Sequence, residues 1–398
     1  MNTSVDKQFD GKFSVENRYD FLNLNTCRFL WKQVKFPTAT DASNTTAQVL
    51  KQGEVQGSDV AAHSAGVLDI KTTILPDADA LFLTAIDRYG HELWRWTFPV
   101  NKLNQANEVL SPLSNKVTST ETENELTVKA KNHTFIFSKK DGQLKGVSVN
   151  NRKISFANGP RFIGARRADR SLDQFYNHDD EKAKEKDRTY SEFPDAAVFT
   201  KLDVKEDGGN LIVTANYKLG NLDKVQWTIN PNGEAVLDYT YNFSGVVDLM
   251  GICFDYPEDQ VISKRWLGAG PYRVWQNRIH GTQYDVWEND YNDPIPGETF
   301  TYPEFKGYFG SVSWMNIRTK EGTISLTNET PDAYIGVYQP RDGRDRLLYT
   351  LPESGISVLN VIPPVRNKVN STDLCGPSSQ PKWVNGPQSG RIIFRFME

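Results

Sequence analysis

The chain is predicted to fold entirely as β-structure, in two bodies. Apolar and polar residues alternate with a period of two along most of its length, and turn pairs such as Asn-Gly and Asp-Gly separate the alternating runs. No stretch repeats apolar residues at i, i+3, i+4 and i+7 between capping residues, so long helices are not expected. Aromatic residues fill 12% of the 398 positions, which suits pleated surfaces covered by flat side chains. The same richness suits a saccharide site, because an aromatic ring covers the apolar C–H face of a pyranose. Composition leaves both readings open.

Each body rests on local patterns. In the first, "ELWRWTFPV" (92–100) reads as a strand with Trp94, Trp96 and Phe98 on one face and Arg95 and Thr97 on the other. Turn clusters at "PTATDASNTT" (37–46) and "LPDADA" (75–80), with the length of residues 12–100, fit a small immunoglobulin-like β-sandwich. Residues 1–11 read as a disordered or appended tail. Residues 101–115, "NKLNQANEVLSPLSN", are polar, rich in Asn and Ser, and read as a linker.

In the second body, "HTFIFSKKDGQLKGVSV" (133–149) is a strand–turn–strand unit around Asp141-Gly142, and "LIVTANYKL" (211–219) is a further alternating strand. "VQWTI" and "AVLDYTYNF" flank "NPNG", which predicts a hairpin over 225–243. Residues 116–398 hold too many strands for one open sheet, so two large antiparallel sheets packed face to face are expected. The charged run "YNHDDEKAKEKDRTYSEFPD" (176–195) reads as a solvated loop.

Several function classes are disfavoured. A net charge of −4 offers no basic stripe for nucleic acid. No run of 18 apolar residues spans a membrane, and the N-terminus lacks the basic and apolar regions of a secretory signal. Cys27, Cys253 and Cys375 are far apart and form no C-x-x-C pair, so neither a zinc site nor a disulfide framework is expected. "NHDD" (177–180) lacks the spacing of a calcium loop. No nucleophile elbow, H-E-x-x-H or phosphate loop is present, and no metal, cofactor or catalytic residue is assigned. The carboxylates Glu288, Asp290, Asp293, Glu298 and Glu304 cluster within 17 residues with Gly and Pro between them, the pattern of a loop's solvated edge.

The stretch "WLGAGPYRVWQNRIHGTQYDVWEND" (266–290) concentrates the candidate site. Gly268, Gly270 and Pro271 turn the backbone out of strand geometry and display the next residues on a loop at a sheet end. Arg273, Arg278 and His280 can donate hydrogen bonds to sugar hydroxyls, while Trp275, Tyr284 and Trp287 can stack. The competing reading makes Trp275 and Trp287 core plugs and Arg278 an ion-pair partner.

"GICFDYPEDQVISKRWLGAGPYRVWQNR" (251–278) resembles the W-x-G-x-G-P block of glycoside hydrolase family 2 β-galactosidases, which is followed by an Arg several residues later. "TYPEFKGYFGSVSW" (301–314) is similar to that family's Pro-x-Glu-x-Gly loop, and "CGPSSQPKWVNGPQSGRIIFRF" (375–396) to its Gly-rich segment with a Trp before the last strand. "VENRYDFLNLNTCRFLWKQVK" (15–35) is similar to the opening of the family's second Ig-like domain. The resemblance implies an Ig-like sandwich over 12–100 and a galactose-mutarotase-like small-chain sandwich over 116–398. It places Trp383, in a Gly- and Pro-rich loop, at the mouth of the parent enzyme's pocket.

The family's jelly roll, first Ig-like domain and catalytic (β/α)8 barrel have no counterpart in the pattern of this chain. Its Arg-x-Pro-x-Asp-Asn-Asp signature is replaced by "RFIGARRADRS" (161–171). The expectation is therefore a non-catalytic C-terminal fragment that binds carbohydrate, either a galactoside or a piece of plant or host polysaccharide. It would complete the active-site wall against the parent's barrel domain and support homo-oligomerisation through the parent, which is expected in the periplasm or outside the cell. Two alternatives stand beside it. One is an autonomous carbohydrate-binding module; the other is a sugar epimerase or lyase using His280 and Glu304 as acid and base.

Overall fold

The computed structural model describes residues 5, 8–41, 46–100, 116–167, 190–193, 196–289, 307–337, 354–364 and 376–398. The chain divides into two compact units: residues 1–107 with Gln283–Trp287, and residues 108–282 with 288–398. The linker expected over 101–115 lies outside the described residues.

Unit one contains β1 (Lys12–Asn17), β2 (Arg28–Lys35), β3 (Gln48–Gln56), β4 (Ser64–Asp69), β5 (Ala80–Ile86) and β6 (Glu92–Pro99). β1 pairs with β4, and a second antiparallel sheet runs β3-β2-β5-β6. Both sheets feed one core: Phe29 and Trp31 from β2, Leu81 and Leu83 from β5 and Leu68 from β4 are buried, with Phe13 and Val15 of β1 packed against them. Gly53 faces Trp31 across the ladder, and a Cβ there would stand 2.5 Å from the indole. Gln33 is fully buried and satisfied. Its Nε2 donates to Thr73 O (2.8 Å) and its Oε1 accepts from Leu75 N (2.7 Å), tying the following loop to the sheet.

One expectation changes here. The supposed tail is partly structural: Val5 is buried and donates its N–H to Pro99 O (3.1 Å), and the Phe9 ring packs, tilted, against Phe13 at 4.9 Å. These apolar residues find a core that an otherwise polar segment did not advertise. The faces of β6 are as the alternation predicts, since Trp94, Trp96 and Phe98 stand opposite Ala85, Leu83 and Leu81. Only Phe98 reaches the core, because β6 is the sheet's edge; Trp94 and Trp96 remain 36% and 41% exposed.

Unit two begins with β7 (Thr118–Glu121), β8 (Glu125–Ala130), β9 (His133–Ser138), β10 (Leu144–Val149), β11 (Arg152–Ile154), β12 (Ala157–Arg167) and β13 (Tyr190–Glu192). Next come β14 (Val198–Asp207), β15 (Asn210–Lys218), β16 (Leu222–Ile229), β17 (Ala235–Val247), β18 (Leu249–Asp255) and β19 (Val261–Gly270). After β20 (Gln283–Asn289) come β21 (Trp314–Thr319), β22 (Gly322–Asn328), β23 (Tyr334–Val337), β24 (Ile356–Val361) and β25 (Lys382–Met397).

One sheet of this unit runs β14-β15-β16-β17-β25-β22-β21-β19; the other runs β23-β24-β18-β12-β10-β9-β8-β7, with β11 beside β10 and β13 beside β12. The predicted hairpin is present, with Ile229 opposite Ala235. So is the unit at 133–149. The two sheets meet through aromatic side chains: Trp227 lies 6.2 Å from Phe137 and 6.1 Å from Phe254 of the facing sheet, and Phe394 lies 5.6 Å from Phe254 and 5.2 Å from Phe156. All five are buried, which fits flat side chains filling the space between two pleated faces. Most of the charged run 176–195 lies outside the described residues.

Candidate functional site

A second apolar cluster lies away from the inter-sheet aromatics. Ile163 and Ala165 of β12, Leu249 and Cys253 of β18 and Leu359 of β24 are covered by Val274, Trp275, Tyr308 and Ile362. The cover is built from the stretch directly after β19. The Gly270–Pro271 peptide is cis, and the chain returns at Val274, which exchanges both backbone hydrogen bonds with Tyr308 (2.7 and 2.8 Å). The Trp275 ring meets Tyr308 edge-on at 5.5 Å. Gly307 has φ +48°, and a Cβ there would crowd Val274 O at 2.9 Å and Trp275 Nε1 at 3.0 Å.

Trp275 is thus a packing residue, the second of the two readings its sequence allowed. Arg273 lays its guanidinium over the Phe309 ring, 4.9 Å from the centroid. Arg278 N donates to Trp275 O (2.8 Å), closing a tight turn that leaves Tyr272, Arg278, Ile279 and His280 exposed.

The turn is clasped to the C-terminal segment. Gln276 N donates to Pro363 O (3.1 Å), and Gln276 Nε2 donates to both Ser378 O (2.9 Å) and Gln380 O (2.7 Å). Asn277 Nδ2 donates to Ser379 Oγ (2.9 Å). Three residues beyond Gln380 stands Trp383, 71% exposed. The sequence motifs at 266–280 and 375–383 are therefore brought together by two side chains that were not among the sequence candidates. Their signal was a polar Gln-Asn pair inside an aromatic run.

Trp383 occupies a strand and not the loop its Gly and Pro neighbours suggested. β25 pairs with β17 without a register break from Lys382↔Val247 to Phe394↔Ala235. Gly386 takes φ +95° within that ladder, and Pro387 stands opposite Asn242. A ladder of this length tolerates the one donor that Pro removes. Trp383, Asn385, Pro387, Ser389 and Arg391 alternate with less exposed neighbours and share the outward face.

The remaining candidates separate from this group. Trp287 belongs to unit one, where it is half-buried, donates Nε1 to Gln283 O (3.1 Å) and lies beneath the Arg95 guanidinium at 5.9 Å. Tyr284 of the same segment packs edge-on against Phe36 at 5.7 Å. Glu304, with Asp290, Asp293 and Glu298, lies outside the described residues, as does Asn177–Asp180. Glu288 is exposed. At the corner between β17 and β18, Asp248 is fully buried, donates its N–H to Ala165 O (2.9 Å) and faces Arg166 Nε at 3.6 Å.

Chemically, this end of unit two offers an indole plate, a phenol, a guanidinium and an imidazole to solvent on backbone held by four hydrogen bonds. Such a set covers C–H faces and donates to hydroxyls.

Comparison with known proteins gives the family. A galactose 1-epimerase from Lactobacillus acidophilus NCFM is similar in structure, with 9% identity over 71% of this chain and 98% of its own and a TM-score of 0.40. A GalM/aldose epimerase homologue from C. elegans is similar at 8% identity over 71% of this chain and 99% of its own, with a TM-score of 0.34. No curated protein matches in sequence. Residues 129–362, more than half of the 398, match the β-galactosidase small chain. The chain belongs to the β-galactosidase small-chain family.

Proposed function

We propose that the chain is the non-catalytic C-terminal part of a β-galactosidase-like glycoside hydrolase, in which unit two binds carbohydrate and completes the wall of the parent's active site. The observation that carries this reading is Trp383, an indole 71% exposed on a strand whose entry is clasped by Gln276. Leaving so large an apolar surface in water forgoes on the order of 2–3 kcal/mol that a covering partner would recover. The exposed Arg278 and His280 stand on the turn that Gln276 ties to the same segment, ready to donate to the hydroxyls of a sugar stacked on the indole.

Calorimetric titration with galactose, lactose and a β-1,4-galactan oligosaccharide tests the binding half. Binding is expected in the native chain, and the part of it made at the indole is expected to be lost in Trp383→Ala; a flat titration of the native chain, or one that Trp383→Ala leaves unchanged, overturns it. Aryl β-galactosides test the other half. No turnover is expected from the purified chain, and turnover that survives in the Trp383→Ala variant and tracks the protein through purification would refute the non-catalytic assignment.

A further inference from the structure

A cleft of about 390 Å³ opens on the outward face of the β16–β17–β25 part of the sheet, walled on one side by Glu329 and Pro331 of the turn after β22. We infer that it is a second saccharide subsite, for one neutral hexose unit.

Its floor is a grid of polar side chains in two cross-strand rows. Lys224, Thr240 and Ser389 form one; Gln226, Asp238 and Arg391 form the other. The rows lie two residues apart, so the grid spans about 10 Å across the strands and about 7 Å along them, the footprint of a single sugar ring. One corner is rigid. Arg391 Nη1 donates to both Asp238 oxygens at 2.9 Å, its Nε pairs with Glu329 at 3.1 Å, and its backbone N donates to Thr330 Oγ1 at 3.0 Å.

The rest of the floor is uncommitted. Among the described residues, the side chains of Lys224, Gln226, Thr240 and Ser389 make no hydrogen bond or ion pair. Together they offer donors and acceptors next to one another, and vicinal hydroxyls, each both donor and acceptor, satisfy such an array. Charge selects the class. Lys224 and Arg391 balance Asp238 and Glu329, so the cleft holds no net charge to recruit an anion. The position adds a further reason: Ser389 and Arg391 share the outward face of β25 with Trp383, so a saccharide lying along that strand passes from the indole to the cleft.

The test is a titration of the full chain with galactose, followed through the backbone amide shifts of residues 224–226, 238–240 and 389–391. Saturable shifts are expected there, retained in Trp383→Ala and lost in the near-isosteric Thr240→Val and in Gln226→Leu, with melting temperatures unchanged. Absence of saturable shifts in the native chain, or their persistence in both floor variants, overturns the subsite. So does tighter binding of galacturonate than of galactose, which would mark an anion site. Because Trp383→Ala reports on the indole separately, a native chain whose cleft shifts saturate while Trp383→Ala changes nothing in its sugar binding would sink the functional reading above and leave this one standing.

Discussion

Arg95 of β6 and Asp285, 190 positions later in the chain, form an ion pair of 2.9 Å inside unit one, both side chains largely buried. Arg95 also lies over the Phe82 ring at 4.6 Å, and Thr97 Oγ1 donates to Tyr284 O at 3.0 Å. Removing one member strands the other in a poorly solvated place. Asp285→Ala is expected to destabilise unit one by about 3 kcal/mol, read by chemical denaturation.

Burial pushes the Asp285 carboxyl above its ordinary value of 3.8, against the pull of Arg95 and a bond from Val286 N. The folded state therefore holds this proton more tightly than the unfolded state. Through the window just above 3.8, the Asp285 contribution to stability falls as pH rises. Thermal melts of native protein and Asp285→Asn across that window are expected to diverge in this sense, the native protein losing relative stability towards higher pH.

His133 titrates in the opposite sense. Burial holds it below the ordinary 6.5, and its Nε2 contacts Phe396 O at 2.8 Å. Protonation favours the unfolded chain, so stability is expected to fall as pH drops through and below 6.5. The loss should be smaller in His133→Gln, measured by melting temperature between neutral and mildly acidic pH.

Trp275 and Trp383 should behave as opposites. Trp275→Ala empties the apolar cluster above β12 and β18 and is expected to cost about 3–5 kcal/mol. Trp383→Ala, at an exposed position, is expected to change stability by less than about 0.5 kcal/mol. Denaturant midpoints of the two variants check this directly.

Gln276→Ala removes two side-chain hydrogen bonds and is expected to cost about 1–2 kcal/mol. Its more telling effect is local. Hydrogen exchange of the amides at 378–380 should accelerate while that of β17 is unchanged; equal protection throughout would show that the clasp does not hold the segment.

Much of this architecture was legible in the sequence, because period-two alternation and Asn-Gly turns act locally. The hairpin at 225–243 and the faces of β6 needed nothing more. The site was legible only in part. Trp275 and Trp287 look alike in sequence, yet one caps an apolar cluster and the other packs beneath Arg95, since long-range partners decide which side of a turn is covered. Gly386 and Pro387 misled for a different reason: the ladder with β17 outweighs the preference of two residues for a loop.

Unit one has a consequence for dissection of the chain. Its fold draws on Gln283–Trp287, so a gene truncated after Asn107 encodes it without the piece that packs on Phe36 and neutralises Arg95. Anyone expressing that half by itself should supply the missing pentapeptide in trans, or graft it on through a designed tether.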